Sequence, residues 1–284
     1  MPELDARARA LLAGLRDDAQ SGATRLAVNT LNDLLSYLDD VRPDASALAK
    51  LLAALRATRP SMIVISNALA MIEKQLARDP LTARQAIIDI RNRLQNATET
   101  ITRYAREQLP ETPVIMTHSA SSMVLRLFRS MVEAHQSFSV ICTQSSPGCE
   151  GHSLALALDD LSVPVTLITD AQMGLFVPEA DVVITGCDTW FTDDFFINKS
   201  GTHLLALAAR AANKPFWVLA DSFRNSDANA TSVVLEEMPG VELKAPEGEW
   251  ITPRNIYFEL VPQTLVSQRI SEQGVFLCPA EPRR

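Results

Sequence analysis

The sequence predicts an α/β protein in which a helical domain precedes a domain built on a doubly wound parallel sheet. Residues 1–110 repeat apolar side chains at intervals of three and four, the spacing of amphipathic helices. After Pro110, short β-branched and aliphatic runs alternate with helical segments, which is typical of parallel sheets covered by helices. We therefore expect two domains, at residues 1–110 and 111–284, each with enough chain to bury a core.

The first domain is predicted to be a helical bundle. Pro43, Pro60 and Pro80 separate its segments, and prolines begin or break helices. We expect its Leu and Met side chains to form the core between the helices. The predicted helical segments are ARARALLAGL, TRLAVNTLNDLLSYL, SALAKLLAAL, SMIVISNALAMIEKQLA and TARQAIIDIRNRLQNATETITRYA.

The second domain is predicted to contain buried parallel strands joined by helices. Each strand segment is a short apolar run bounded by polar or turn-forming residues. In such sheets ligands bind beyond the carboxyl ends of the strands, so the residues that follow each strand are the first place to search for a site. The predicted strand segments are 114–118, 138–144, 163–170, 181–186 and 215–221.

Composition and charge disfavour several classes of function. A net charge of −8 makes a large basic face for nucleic acid unexpected. Four cysteines without a CxxC pair argue against a disulfide framework or a zinc site. The charged N-terminus does not resemble a signal peptide, and no apolar run reaches the roughly 18 residues of a membrane span, so we expect a cytoplasmic protein. GxGxxG and GxxxxGK[ST] are absent, and we predict neither a metal nor another cofactor.

Polar residues follow the predicted strands. His118 and Ser119 follow the first strand, Ser146 follows the second, and Asp188 follows the fourth. A carboxylate at a strand end is partly removed from water, which raises its pKa towards the range useful for acid–base catalysis. A turn or capping role is the alternative for Asp188. His118 is either an acid–base group near neutral pH or a structural histidine at a strand end.

A predicted loop carrying Asn198 and Lys199 precedes another helix. The Lys199 ammonium and the backbone N–H groups of residues 200–202 have the chemistry that binds a phosphate at a helix start. Gly201 is alternatively a residue that permits a tight turn. The loop therefore predicts a small phosphorylated ligand, with a purely structural turn as the other interpretation.

Several segments resemble, in order, the signature regions of one superfamily. They are ATRPSMIVISNALAMI, MTHSAS, TQSSPGCEGHSLALAL, VPVTLITDA, DVVITGCDTWFTDDFFINKSGTHLLALAARAANKPFWVLADSF and NIYFELVP, and they span nearly the whole chain. The superfamily contains the α, β and δ regulatory subunits of eukaryotic translation initiation factor 2B, methylthioribose-1-phosphate isomerase and ribose-1,5-bisphosphate isomerase. The resemblance implies an N-terminal helical domain, a Rossmann-like C-terminal domain and a homodimer formed through the C-terminal domains.

The resemblance also implies two catalytic positions. The isomerases use an aspartate in a GAD turn, which corresponds to Asp188 in GCD here. They use a cysteine in a THC turn, and its position is taken by Ser119 in THS. A serine hydroxyl is a much weaker acid than a thiol, so Ser119 can position a sugar oxygen but does not readily supply the equivalent of a thiolate.

The ligand-binding positions implied by the resemblance are partly retained. Ser21-Gly22 stands where the isomerases have Arg-Gly, and Ser146-Pro147 stands where they have Arg-Pro. Each lost arginine removes a charge-assisted contact to phosphate, which disfavours a bisphosphate and leaves a monophosphate, a nucleotide or a non-phosphorylated polyol. The ligand-binding candidates that stay in register with the family are Arg59, His118, Asn198 and Lys199.

Two functions fit these residues, and a third leaves the site unused. As an enzyme, the chain would isomerise a sugar phosphate, with Asp188 moving protons while Asn198 and Lys199 hold the ligand. As a regulatory subunit, it would sense a sugar phosphate or nucleotide in the same site without turnover. In the third case the site is vestigial and only the dimer matters.

Overall fold

The computed structural model describes residues 4–18, 22–59, 62–79, 82–235 and 237–278. The chain forms two compact units, Met1–Glu99 and Thr100–Arg284. The units divide within a long helix that ends at Gln108, and a domain boundary at residue 110 stays a prediction. No helix in the described ranges is both long enough and apolar enough to span a membrane.

The first unit is helical, as the spacing of its apolar residues predicts. Asp5 begins the first helix by accepting a hydrogen bond from the Ala8 N–H (2.9 Å), and its other oxygen accepts from the hydroxyl of the buried Tyr37 (2.7 Å). That contact ties the first helix to the second. The helices are α1 (Ala6–Asp17), α2 (Ala23–Val41), α3 (Ala45–Thr58), α4 (Ile63–Leu76) and α5 (Ala83–Gln108), the last of which continues into the second unit.

The second unit alternates strands with helices. Its helices are α6 (Ser122–Glu133), α7 (Glu150–Asp159), α8 (Met173–Phe176) and α9 (Thr202–Ala211). Its strands are β1 (Val114–Thr117), β2 (Ser139–Thr143), β3 (Val165–Ile168), β4 (Val182–Thr185), β5 (Thr189–Phe191), β6 (Phe195–Lys199), β7 (Phe216–Leu219), β8 (Asn225–Ser226), β9 (Phe258–Pro262), β10 (Gln268–Ser271) and β11 (Gly274–Leu277).

The central sheet has the order β11-β10-β7-β4-β1-β2-β3. Its first six strands along the chain run parallel, and β11 pairs antiparallel with β10 at the edge. Numbered along the chain, the parallel strands follow the order 3-2-1-4-5-6, which is the Rossmann order. Each of the five predicted strand segments contains one of these strands, so the predicted Rossmann-like, doubly wound sheet is confirmed.

Both faces of the central sheet are buried. Ile115 packs with α6 and α7 on one face, whereas its neighbour Met116 packs with α8 and α9 on the other. Ile184 and Val183 of β4 divide between the faces in the same way. Successive side chains of a strand point to opposite faces, so a strand covered by helices on both sides must be apolar throughout.

A second sheet, with the order β8-β5-β6-β9, was not predicted. It contains residues 195–199, so Asn198 and Lys199 end a strand and the predicted loop is wrong at these positions. The partner strand β9 lies about sixty residues further along the chain, where Glu259 pairs with Asn198 and Phe258 with Lys199. Neighbouring residues alone do not reveal a pairing over that separation.

Gly151, the second residue of α7, lies against the end of β2. A methyl group built on it would lie 1.8 Å from the Thr143 carbonyl oxygen, a backbone atom with little freedom to move. We expect Gly151→Ala to lower the free energy of unfolding by about 3 kcal/mol or more, the upper range for overpacking. Urea denaturation followed by circular dichroism measures this loss.

Gly174→Ala is the matched control, because nothing lies within 4 Å of a methyl group at that position. It should leave the free energy of unfolding unchanged or slightly higher, since alanine favours helix. Equal stabilities for the two variants would contradict the close packing of α7 on β2.

Candidate ligand site at the carboxyl ends of the strands

The central sheet has its topological switch point between β1 and β4. The chain proceeds from β1 to β2 and β3 on one side and then returns to β4 on the other. Ile115 pairs with Val182 in these strands, so the turn after β1 lies beside the turn after β4. Ligands bind at this position in open α/β sheets. The two turns carry Ser119 and Asp188, which the resemblance assigns to catalysis.

Ser119 lies in the turn between β1 and α6 with a left-handed backbone, at φ 63°. Residues other than glycine rarely adopt this conformation, and those that do are often found at functional sites. The Ser119 N–H donates to Ser145 Oγ (2.7 Å), while Ser121 caps α6 by accepting from the Val124 N–H. The Ser119 hydroxyl has no hydrogen-bond partner among the described residues, so it is available to a ligand.

Asp188 follows β4, and its backbone N–H donates to the Ile197 carbonyl (2.9 Å). The residue keeps part of its surface open to solvent although protein atoms surround the carboxyl group closely. Burial raises the pKa of Asp188, whereas the positive charges of Arg224 and Lys199 act in the opposite direction. Within the described ranges no hydrogen bond reaches its carboxylate. Asp188 therefore has the environment of an acid–base group.

Arg224 is a buried cation beside Asp188 that the sequence analysis missed. It follows β7 in a short 3-10 turn, its Nε donates to Asp221 Oδ2 (3.2 Å), and one of its terminal nitrogens donates to the Cys187 carbonyl. Asp221 is fully buried, and its second oxygen has no partner in the described part of the chain. Arg224 lies three residues beyond the last predicted strand segment, which ends at residue 221.

His118 is buried and bonded to the protein through both ring nitrogens. Its Nδ1 lies 2.6 Å from Thr143 Oγ1, and its Nε2 lies 2.8 Å from the Ser200 carbonyl. A carbonyl only accepts, so we assign the proton to Nε2, and the Thr143 hydroxyl donates to Nδ1. Burial lowers the pKa of His118, which favours this neutral form. The arrangement is that of a structural histidine, and its role as a ligand-binding group stays a prediction.

The close approach of the His118 ring explains the glycine that follows Ser200. Gly201 has φ 106°, and a methyl group built on it would lie 2.7 Å from His118 Nε2. The turn before α9 therefore requires glycine both for its backbone conformation and for space. The packing of His118 against Gly201 therefore holds the end of β1 next to the start of α9.

Ser146 lies in a turn whose backbone donors already hold a carboxylate. The N–H groups of Ser145 and Ser146 donate to the two oxygens of Asp170, at 2.9 and 2.7 Å. Two successive backbone N–H groups are a common anion-binding element, and here the protein itself supplies the anion. The Ser146 residue is otherwise exposed, and its contact with a ligand stays a prediction.

Lys199 is buried, and its charge is paired within the protein. Its Nζ lies 2.6 Å from Glu150 Oε1 and 3.6 Å from the centre of the Tyr257 ring. The Glu150 side chain is 33% exposed against 7% for that of Lys199, so Glu150 forms the outer member of the pair. The second oxygen of Glu150 has no partner among the described residues.

Asn198 and the start of α9 are likewise bonded within the fold. Asn198 Nδ2 donates to Thr202 Oγ1 (3.0 Å). The N–H groups of Gly201 and His203 both donate to Glu259 Oε1, at 2.7 and 2.8 Å. Of the backbone donors expected to hold a phosphate, that of Gly201 therefore holds the carboxylate of Glu259, and that of Ser200 donates to the Tyr257 carbonyl (2.8 Å).

Arg59 and Gly22 belong to the helical unit. Arg59 follows α3, and its Nη2 donates to the carbonyls of Arg16 and Asp18, at 2.6 and 2.7 Å, near the end of α1. Gly22 begins α2. The neighbours that completed the two family motifs, Ser21 and Pro60-Ser61, lie outside the described residues. Ligand contacts of Arg59 and Gly22 stay predictions.

Carboxylates outnumber cations at this end of the sheet. Two pairs of backbone donors and the Lys199 ammonium each hold a carboxylate of the protein itself. Arg224 is a second buried cation here, paired with Asp221. No group of three or more His, Cys, Asp or Glu side chains in the described ranges is arranged to hold a metal ion. The carboxylates are Glu150, Asp170, Asp188, Asp221 and Glu259.

The family profile and the most similar relatives found by comparison with known proteins agree with one another. The sequence profile of the Initiation factor 2 subunit family matches residues 6–278. A "Putative translation initiation factor eIF-2B subunit 2-like" protein of Pyrococcus abyssi is 30% identical over 277 residues, covering 95% of this chain and 96% of the relative. "Ribose 1,5-bisphosphate isomerase" of Archaeoglobus fulgidus is 30% identical over 226 residues, covering 76% of this chain and 72% of the relative.

The fold agrees with that family. The crystal structure of the Pyrococcus horikoshii OT3 translation initiation factor eIF-2B superposes with a TM-score of 0.84 at 29% identity, and the match covers 99% of this chain and 100% of the other. Similarity at this level extends over the helical segment, the Rossmann-like sheet and the strands of the second sheet. The chain belongs to the Initiation factor 2 subunit family.

Proposed function

We propose that the chain binds a sugar phosphate at the carboxyl ends of β1 and β4 and isomerises it between aldose and ketose. The observation that carries this proposal is the Asp188 carboxyl group, which has a raised pKa and no hydrogen-bond donor of its own in the described ranges. The free hydroxyl of Ser119 lies in the neighbouring turn. The relatives named ribose 1,5-bisphosphate isomerase support the reaction class.

In this reaction Asp188 moves a proton between two carbons. As the bond between C1 and the ring oxygen of the aldose 1-phosphate breaks, the Asp188 carboxylate takes the proton from C2, which leaves an enol phosphate with a double bond between C1 and C2. The carboxyl group then returns the proton to C1. The proton of the 2-hydroxyl passes to the released ring oxygen, so that C2 becomes the ketone carbon. A raised pKa makes the Asp188 carboxylate a stronger base for taking up the carbon-bound proton that it later returns. Ser119 donates a hydrogen bond to the substrate oxygen, and no thiolate takes part.

The phosphate group is proposed to bind at Lys199. Glu150 occupies that ammonium in the free protein, so an anionic ligand displaces a carboxylate that is one-third exposed and has one oxygen unpaired. The displaced Glu150 regains hydration, which offsets part of the loss of its ion pair. The Asp170 and Glu259 positions are less suited to exchange, because each carboxylate there accepts two backbone N–H groups.

We also propose that the chain acts as a homodimer through the α/β unit, in the cytoplasm. The family resemblance supports the dimer, and the four free cysteines suit a reducing compartment. Light scattering coupled to size exclusion should give twice the 31.1 kDa of one chain at micromolar concentration. A mass of one chain at that concentration would refute the dimer.

Asp188→Asn should abolish turnover while leaving the fold intact. Phosphorus NMR with ribose 1-phosphate, methylthioribose 1-phosphate, glucose 1-phosphate and ribose 1,5-bisphosphate should show an aldose phosphate signal replaced by a ketose phosphate signal only with the unchanged protein. The amide keeps the shape of the carboxyl group but cannot carry the proton. Asp194→Asn is the matched control, since the same change on an exposed residue should leave the rate unaltered.

Line broadening without a new product would exclude the isomerase and favour a regulatory subunit that only binds the ligand. The absence of both effects across the four compounds would reject sugar phosphates as ligands. Turnover retained by Asp188→Asn would remove Asp188 from the reaction.

Glu150→Gln should tighten the binding of a sugar phosphate by about tenfold, because the ligand no longer competes with a carboxylate for Lys199. Isothermal titration calorimetry with the compound that broadens most in the NMR experiment measures the change. Glu249→Gln removes the same charge from an exposed position and should have no effect.

The pairing itself is tested by adding Lys199→Ala to Glu150→Gln. The gain from Glu150→Gln should disappear in the double variant, since the two changes act on one contact. An equal gain with and without Lys199 would place the phosphate elsewhere.

A further inference from the structure

A cavity of about 290 Å³ lies beside β10 and β11, at the edge of the central sheet. None of its lining residues belongs to the candidate site described above. Ligand cavities start at about this size, and they combine apolar walls with a few polar groups. The cavity is lined by Trp190, Arg269, Ser271, Gln273, Phe276 and Cys278.

Arg269 provides the charge of the cavity, and part of its guanidinium has no partner. Three hydrogen bonds come from one nitrogen, Nη2. It donates to Asn225 Oδ1 at 2.6 Å and to the carbonyls of Ala220 and Asp221 at 3.3 and 3.4 Å. Within the described residues, neither Nε nor Nη1 meets an acceptor, and Nε is shielded from solvent. A buried donor without an acceptor is costly, and a bound acceptor would remove that cost.

Two aromatic side chains flank this guanidinium. Arg269 stacks over the Trp190 ring, with 4.5 Å between the guanidinium carbon and the ring centre. Phe276 stands directly opposite Arg269 in the antiparallel pairing of β10 with β11, so both side chains lie on one face of the sheet. The Phe276 residue is 47% exposed, which leaves an aromatic surface uncovered at the cavity.

The cavity is positively charged. Arg269 is the one charged side chain among the described residues that line it. Glu272 lies between two lining residues in sequence, but its carboxylate accepts hydrogen bonds from the N–H (3.0 Å) and the hydroxyl of Ser222. The nearest acidic side chain along β10 is therefore engaged with the turn after β7.

We propose that this cavity binds a small aromatic carboxylate. The carboxylate accepts a hydrogen bond from Nη1 of Arg269, and the opposite charges of the two groups strengthen that contact. The aromatic body covers Phe276 and the edge of Trp190, so its burial adds to the ion pair. The buried Ser271 and the exposed Gln273 provide polar contacts that orient the ligand.

Sodium benzoate is the probe, and benzamide is its neutral counterpart. Saturation-transfer NMR and calorimetry on the full chain should show benzoate binding with a Kd in the millimolar range, the strength expected of so small a ligand. Benzamide, which lacks the negative charge, should bind at least tenfold more weakly. Failure of benzoate to bind, or equal binding of the two compounds, would overturn the proposal.

Phe276→Ala and Leu277→Ala form a matched pair on β11. The two residues are adjacent, both are exposed, and they point to opposite faces of the strand. We expect Phe276→Ala to weaken benzoate binding at least fivefold and Leu277→Ala to leave it unchanged. Arg269→Met should abolish binding, and unaltered affinity in both Phe276→Ala and Arg269→Met would place benzoate outside this cavity.

Discussion

One buried, neutral imidazole holds the ligand end of the α/β unit together. His118 ends β1, accepts from the Thr143 hydroxyl at the end of β2, and donates to the Ser200 carbonyl before α9. These segments are 25 and 82 residues away in sequence, and no backbone ladder joins all three. The Ser200 carbonyl fixes a proton on Nε2, and in the neutral ring Nδ1 accepts from the Thr143 hydroxyl. Its burial favours the uncharged form.

The turns fixed by His118 are filled with the anions of the protein itself. Asp170 occupies the backbone donors after β2, Glu259 occupies those before α9, and Glu150 occupies Lys199. A sheet of this order collects backbone donors and helix starts at one edge, and without ligand these groups need acceptors. Internal carboxylates satisfy them, so an anionic ligand at any of these positions would have to replace a carboxylate that is already bound.

The sequence predicts the elements that depend on local pattern and misses those that depend on distant partners. The parallel strands follow from continuous apolar runs, and the positions of Ser119 and Asp188 follow from the ends of those runs. The pairing of Lys199 with Glu150 joins residues 49 positions apart and has no local signal. The second sheet is not predicted for the same reason, because β6 is a strand through its pairing with the distant β9. The role of Arg224 is not predicted, because the sequence does not show that a short turn after β7 places its side chain against the Cys187 carbonyl.

The acid–base character of Asp188 depends on the balance of three nearby influences. Burial raises its pKa, and the charges of Arg224 and Lys199 lower it. Glu150 neutralises much of the Lys199 charge in the free protein, so it also shields Asp188 from that charge. A phosphate that replaced Glu150 would supply at least the same negative charge at Lys199, and the pKa of Asp188 would stay raised when the ligand is bound. If the proposed phosphate binds at Lys199, Glu150 holds the same position in the free protein and keeps the pKa of Asp188 raised before the ligand binds.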